Sequence, residues 1–144
     1  MYLRFVDVLL VEDNLANAGI VIREFERHHL ENSLVHLKDR EDFNAFLMAS
    51  RRPVSVQATL GRPKIVLLES EMTTMNCMDV LRRIRRNKAT KDAGVVVLTS
   101  SNEDPAIHKW YHLGANSYIV KPLYFEKFVE AILDFGFHWQ LINK

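Results

Sequence analysis

The chain has 144 residues, enough for one domain with a proper core. Hydrophobic residues make up 48%, which argues against a disordered chain, and a net charge of +1 leaves no case for bulk attraction to nucleic acid or to an anionic membrane. The single cysteine, Cys77, rules out an intrachain disulfide and suits a reducing compartment.

Val6–Val11 reads as a strand buried on both faces. It is too short for a membrane span and lacks the basic start and cleavage pattern of a signal peptide, so a cytoplasmic protein is expected. A helix follows from Leu15 to His29, with Ala16, Ile20 and Phe25 supplying its apolar face. Ser33–Leu37 alternates and predicts an edge strand. A second helix starts near Asp39, a plausible N-cap, and carries Phe43, Phe46 and Leu47. Residues 51–64, with Pro53, Gly61 and Pro63, read as a loop. Ile65–Leu68 predicts another buried strand, and Val80, Leu81 and Ile84 mark a third helix. Val95–Leu98 is the next strand. A fourth helix is expected from Asn102–Pro105, where Asn or Asp caps and Pro suits the first turn. Ser117–Val120 is the last strand, and the last helix runs from Leu123 to Trp139. Five strand–helix units in alternation predict one doubly wound parallel α/β domain over residues 1–144.

In an open parallel sheet, ligands sit beyond the carboxyl ends of the strands. Glu12-Asp13-Asn14, Glu69-Ser70-Glu71, Thr99-Ser100 and Lys121-Pro122 fall at those ends. As bare residues, Glu12 and Asp13 also suit a helix cap with an acidic first turn.

The segments V-L-L-V-E-D-N, I-V-L-L-E-S-E-M followed by L-R-R-I-R, V-V-V-L-T-S-S and G-A-N-S-Y-I-V-K-P occur in order and cover nearly the whole chain. Together they resemble the receiver domains of two-component response regulators. The resemblance implies a flavodoxin-like five-stranded sheet in the order 2-1-3-4-5. It implies a phosphoacceptor carboxylate, with Mg²⁺ held by hard oxygens from Glu12, Asp13 and Glu69. Lys121 matches the lysine that pairs with the phosphoryl oxygens, Thr99 the switching hydroxyl, and Tyr118 the aromatic that follows it. The bond before Pro122 is expected to be cis.

The sequence departs from this pattern at the acceptor itself, where Glu69 stands in place of Asp. Thr73 stands where Pro is frequent and Cys77 where Gly is usual, which predicts a remodelled loop. The extra methylene of Glu moves the carboxylate by about 1.5 Å. A misplacement of about 1 Å can cost about 100-fold in reaction geometry. Glu69 is therefore expected to accept phosphate poorly, to pair with Lys121, and to bias Thr99 and Tyr118 toward an active-like state. Mg²⁺ is expected to bind weakly or not at all. The alternative is a working acceptor that uses Glu69 or a neighbour such as Ser70. An enzyme is not expected, because no glycine-rich phosphate loop or nucleophile elbow is present.

The last helix carries one stripe of Phe128, Val129, Ile132 and Leu133 and a second of Tyr124, Ala131, Phe135 and Trp139. Trp110 and Tyr111 lie in the fourth helix, next to it in this fold. The resemblance implies a homodimer through the fourth helix, fifth strand and fifth helix. The strings V-V-V-L-T-S-S-N-E-D and H-W-Q-L are similar to stand-alone receivers serving phytochrome-type histidine kinases. Such a sensor kinase, or another response regulator, is the expected partner; nucleic acid and membrane are not. The run Arg82, Arg83, Arg85 and Arg86 reads as a solvated helix face or a docking patch for an acidic partner. Cys77 reads as an unreactive thiol, with redox sensing the other possibility.

Overall fold

The computed structural model describes residues 8–30, 33–49 and 63–133. Its elements are β1 (Val8–Val11), α1 (Leu15–Arg27), β2 (Leu34–Leu37), α2 (Arg40–Ala49), β3 (Ile65–Glu69), α3 (Cys77–Arg86), β4 (Gly94–Thr99), α4 (Ile107–His112), β5 (Ser117–Val120) and α5 (Phe125–Leu133). All neighbouring strands pair in parallel, in the order β2-β1-β3-β4-β5. This is the flavodoxin-like arrangement expected from the sequence.

The pleat divides each central strand between two cores, because successive side chains point to opposite faces. Leu9, Val11, Val66, Leu68, Val95 and Val97 pack with Phe43 and Leu47 of α2, with Val80, Leu81 and Ile84 of α3, and with Trp110 of α4. Val8, Leu10, Ile65, Leu67, Val96 and Leu98 pack on the other face with Ala18, Val21 and Phe25 of α1 and with Phe128 and Ala131 of α5. Both faces are covered, so β1, β3 and β4 are buried throughout, while β2 at the edge is mostly half-buried. Each fully buried Leu or Val contributes on the order of 2 kcal/mol before entropy is charged against it.

Several boundaries differ from the sequence expectation. α1 stops at Arg27 rather than His29. His29 takes a left-handed conformation (φ 59), its N–H bonds the Glu26 carbonyl, and the Leu30 N–H bonds that of Phe25. This is a Schellman stop, built here on a histidine in place of the usual glycine. Ala16 and Ile20 are exposed, and the buried face of α1 is Ala18, Val21 and Phe25. α4 begins at Ile107, after Pro105; the Asp104 side chain instead accepts the Ala106 N–H at 2.8 Å. α5 begins at Phe125, where the N–H donates to Glu24 of α1 at 2.9 Å. Asp39 does cap α2, accepting the Asp42 N–H at 2.8 Å.

Two expected interface residues are corrected. Trp110 is only 3% exposed and belongs to the core, and Ala131 is buried as well. Tyr111 and Tyr124 are exposed. Phe135 and Trp139 lie outside the described residues, as do Val6, Asp7 and residues 51–62 of the loop expected over 51–64. Cys77 opens α3 with ordinary helical backbone under an Asn76 cap, so the substitution demands no unusual angle there. Among the described residues, no helix is long and apolar enough to cross a membrane.

Candidate functional site

The sheet order places the carboxyl ends of β1, β3, β4 and β5 side by side, and each end delivers one polar group. Glu69 is the last residue of β3 and is 1% exposed. A carboxylate taken out of water at that depth needs a partner charge or a proton. Lys121, just past β5, supplies the charge: its Nζ lies 3.0 Å from Oε1 and 3.0 Å from Oε2 of Glu69. The Glu71 N–H adds a bond to Oε2 at 2.9 Å. The Lys121–Pro122 peptide is cis, as expected.

Glu12, the first residue after β1, is buried against Glu69. Burial pushes its carboxyl up to about 7, and the neighbouring Glu69 charge and hydrogen bond add to the rise. The Asn14 N–H on Oε2, at 3.1 Å, and the Lys121 charge pull the other way. Two carboxyl groups this close are served best by one proton and one cation between them.

Asp13 is turned elsewhere. Its Oδ2 accepts the Thr73 and Thr74 N–H groups at 2.9 and 2.7 Å, and the Thr74 hydroxyl at 2.8 Å. The Thr73 hydroxyl lies at 3.4 Å. Burial is the largest single influence on the Asp13 carboxyl and raises it, but the Thr74 and Thr73 bonds together outweigh it and hold the group below its ordinary value. A proline at 73 would have no N–H to give, so the departure noted in the sequence has a structural use.

Thr99 is fully buried, but its hydroxyl serves its own loop. It donates to the Ser101 carbonyl at 3.3 Å, lies 3.5 Å from Asp104 Oδ2, and accepts the Ser101 N–H at 3.3 Å. The expected pull of Glu69 on Thr99 is therefore not made. Tyr118 is half-buried, edge-on to Tyr111 at 6.3 Å. Ser100 donates its hydroxyl to Glu71. The Ser70 hydroxyl is the one buried side-chain polar atom of the described residues without a hydrogen-bond partner. A cavity of about 320 Å³ opens over Glu12, Glu69 and Lys121, walled by α1 and by Pro122 and Leu123.

These acids do not fit a divalent cation as they are placed. Mg²⁺ needs free, deprotonated oxygens in near-octahedral array. Glu69 gives both oxygens to Lys121, Glu12 holds a proton toward neutral pH, and Asp13 Oδ2 faces the Thr73–Thr74 loop. Among the described residues, no set of three or more His, Cys, Asp or Glu side chains is gathered for a metal. The expected set Glu12, Asp13 and Glu69 is thus not assembled. Cys77 is also unsuited to chemistry, since burial and then the Glu69 and Asp104 charges push its thiol up to about 12.

Sequence reasoning found the four strand ends but missed Thr74 as an Asp13 partner. The run of two threonines after Met72 was the available signal, because each offers a hydroxyl beside its N–H.

Comparison with known proteins agrees with this fold. The family model described as the response regulator receiver domain matches residues 8–133. The "Probable methanogenesis regulatory protein FilR2" of Methanothrix harundinacea is 33% identical over 137 residues, covering 92% of this chain and 84% of that protein. The bacteriophytochrome response regulator AtBRR has a solved structure with a TM-score of 0.76 at 30% identity, covering 97% of this chain and 99% of that one. The structure of the bacteriophytochrome response regulator RtBRR gives 0.74 at 33% identity, covering 97% and 83%.

The Glu12 carboxyl generates a pH dependence whose sign can be worked out. Its folded value of about 7 lies above the ordinary 4.5, so the folded chain keeps a proton that the unfolded chain has lost. The stability it contributes is complete below about pH 4.5 and is lost as pH rises through about 7. Glu12→Gln cannot ionise. It is expected to flatten that slope and to exceed the parent by on the order of 2 kcal/mol at about pH 8. Urea unfolding of both proteins at about pH 5 and about pH 8 checks this; equal slopes would contradict it.

Proposed function

The chain belongs to the response regulator receiver domain family, and we propose that it works there as an atypical receiver: a protein-interaction module in two-component signalling that does not use ordinary aspartyl phosphorylation. On this proposal Glu69 stands at the acceptor position. The observation that carries it is the two-oxygen grip of Lys121 on a carboxylate that is 1% exposed. An attacking oxygen must be free and in line with the phosphorus. Here both oxygens are engaged, and the cation that would neutralise an incoming phosphoryl group is already spent. The Thr99 hydroxyl, bound to its own loop, supports a fixed conformation that differs from the expected active-like one.

The module reading places the chain among signalling proteins rather than enzymes. Receiver domains act with histidine kinases or other regulators. The two bacteriophytochrome response regulators among its structural relatives support a phytochrome-type sensor kinase, or another response regulator, as the partner.

A second reading has one observation in its favour. The unpartnered Ser70 hydroxyl sits next to Glu69 in sequence and could act as a substitute acceptor. Incubation with acetyl phosphate and Mg²⁺, followed by intact mass measurement, separates the readings. The wild-type chain is expected to gain only trace phosphoryl label. Glu69→Asp withdraws the carboxylate from Lys121 by about 1.5 Å and is expected to label about 100-fold faster. A stoichiometric, base-labile adduct on wild-type Glu69 would overturn the proposal, and a base-eliminated adduct mapped to Ser70 would establish the second reading.

The homodimer is proposed on the α4–β5–α5 face, now anchored on the exposed Tyr111 and Tyr124 rather than on Trp110. Sedimentation should show a dimer that Tyr111→Glu with Tyr124→Glu converts to monomer. A wild-type monomer at about 100 μM would rule this contact out.

A further inference from the structure

A groove of about 390 Å³ lies between α2 and α3, away from the acid pocket. Its rim carries Arg40, Arg82, Arg83 and Arg86, and its floor is Phe43, Met75 and Val80. Asp79 is the one acidic group in the lining, so four arginines stand against one aspartate, a net of +3. The whole chain carries +1, which leaves the remainder at −2. A merely solvated helix face does not require such segregation of charge.

Three of the four guanidinium groups are also held in place. Arg40 donates to the Thr74 carbonyl at 2.8 Å. Arg83 donates to Asn44 at 2.6 Å and lies 4.9 Å from the Phe43 ring centre. Arg82 donates to Asp79 at 2.8 Å. Arg86 is exposed and has no ion-pair partner among the described residues. Arg85, by contrast, leaves the basic run: it donates to the carbonyls of Gly114, Lys91 and Ala93 and to Asn116, and so braces the turns around β4.

We propose that this α2–α3 groove docks an acidic segment of a protein partner, with its carboxylates on the arginine rim. Positioned guanidinium forks suit carboxylates. The net −2 over the rest of the chain opposes a long polyanion such as nucleic acid. The docking site is independent of how Glu69 behaves, because no groove residue belongs to the acid pocket. It is nonetheless linked to the acidic end of β1, since Arg40 holds Thr74 and Thr74 holds Asp13.

The test uses the whole chain and a fluorescein-labelled peptide with one leucine between two pairs of glutamates, read by anisotropy. Saturable binding is expected, weakening as salt rises from about 50 to about 300 mM. Arg82→Gln with Arg86→Gln should weaken it about tenfold, since both side chains are exposed and neither holds the fold together. Arg23→Gln with Lys109→Gln removes the same charge elsewhere and should change binding by less than about twofold. Absence of saturable binding would overturn the proposal. So would equal loss in both double variants, equal binding of the glutamine version of the peptide, or tighter binding of single-stranded oligothymidylate at the groove.

Discussion

A carboxylate buried at the end of the central strand sets the terms for everything around it. Glu69 closes β3, which lies between β1 and β4 and is covered on both faces, so its side chain is almost wholly removed from water at the base of the pocket. An uncompensated charge at such depth would cost several kcal/mol. Lys121 offsets that cost because β5 ends within reach and because the lysine stem spans the gap while leaving its own side chain 28% exposed. The ion pair is therefore a consequence of strand order as much as of residue identity.

The three acids then solve three different problems. Glu69 takes the cation, Glu12 takes the proton, and Asp13 takes the hydrogen-bond donors of the loop after β3. Each solution uses up an oxygen that a metal or a phosphoryl group would otherwise have met. On the reading proposed above, the pocket keeps the residue types of a phosphoryl-transfer site while its own cation and proton occupy them.

Much of this was legible in the sequence because it depends on short-range rules. Apolar β-branched runs gave four strands, alternation at Ser33–Leu37 gave the edge strand, and polar residues just past the apolar runs gave Glu12, Glu69, Thr99 and Lys121. What was misplaced depends on three-dimensional competition. Trp110 looked like a surface anchor, but α4 turns it into the core formed with Val95 and Val97. Ile20 looked like core, but Ala18, Val21 and Phe25 already fill that face of α1. Thr99 was expected to turn toward Glu69, yet nearer donors and acceptors at Ser101 and Asp104 hold it. The capture of Asp13 joins residues 60 and 61 positions apart, which no local pattern encodes.

The claim that Lys121 is what makes Glu69 tolerable in the core is tested most directly by a double-mutant cycle. Lys121→Met, Glu69→Gln and the pair would be compared by urea unfolding at about pH 8 in a Glu12→Gln background, which removes the Glu12 charge from the comparison. Lys121→Met alone should destabilise by roughly 3 kcal/mol, and the two changes together by much less than their separate costs combined, with a coupling of about 2–3 kcal/mol. Additivity within about 0.5 kcal/mol would mean that the two side chains do not depend on one another, and would contradict the account.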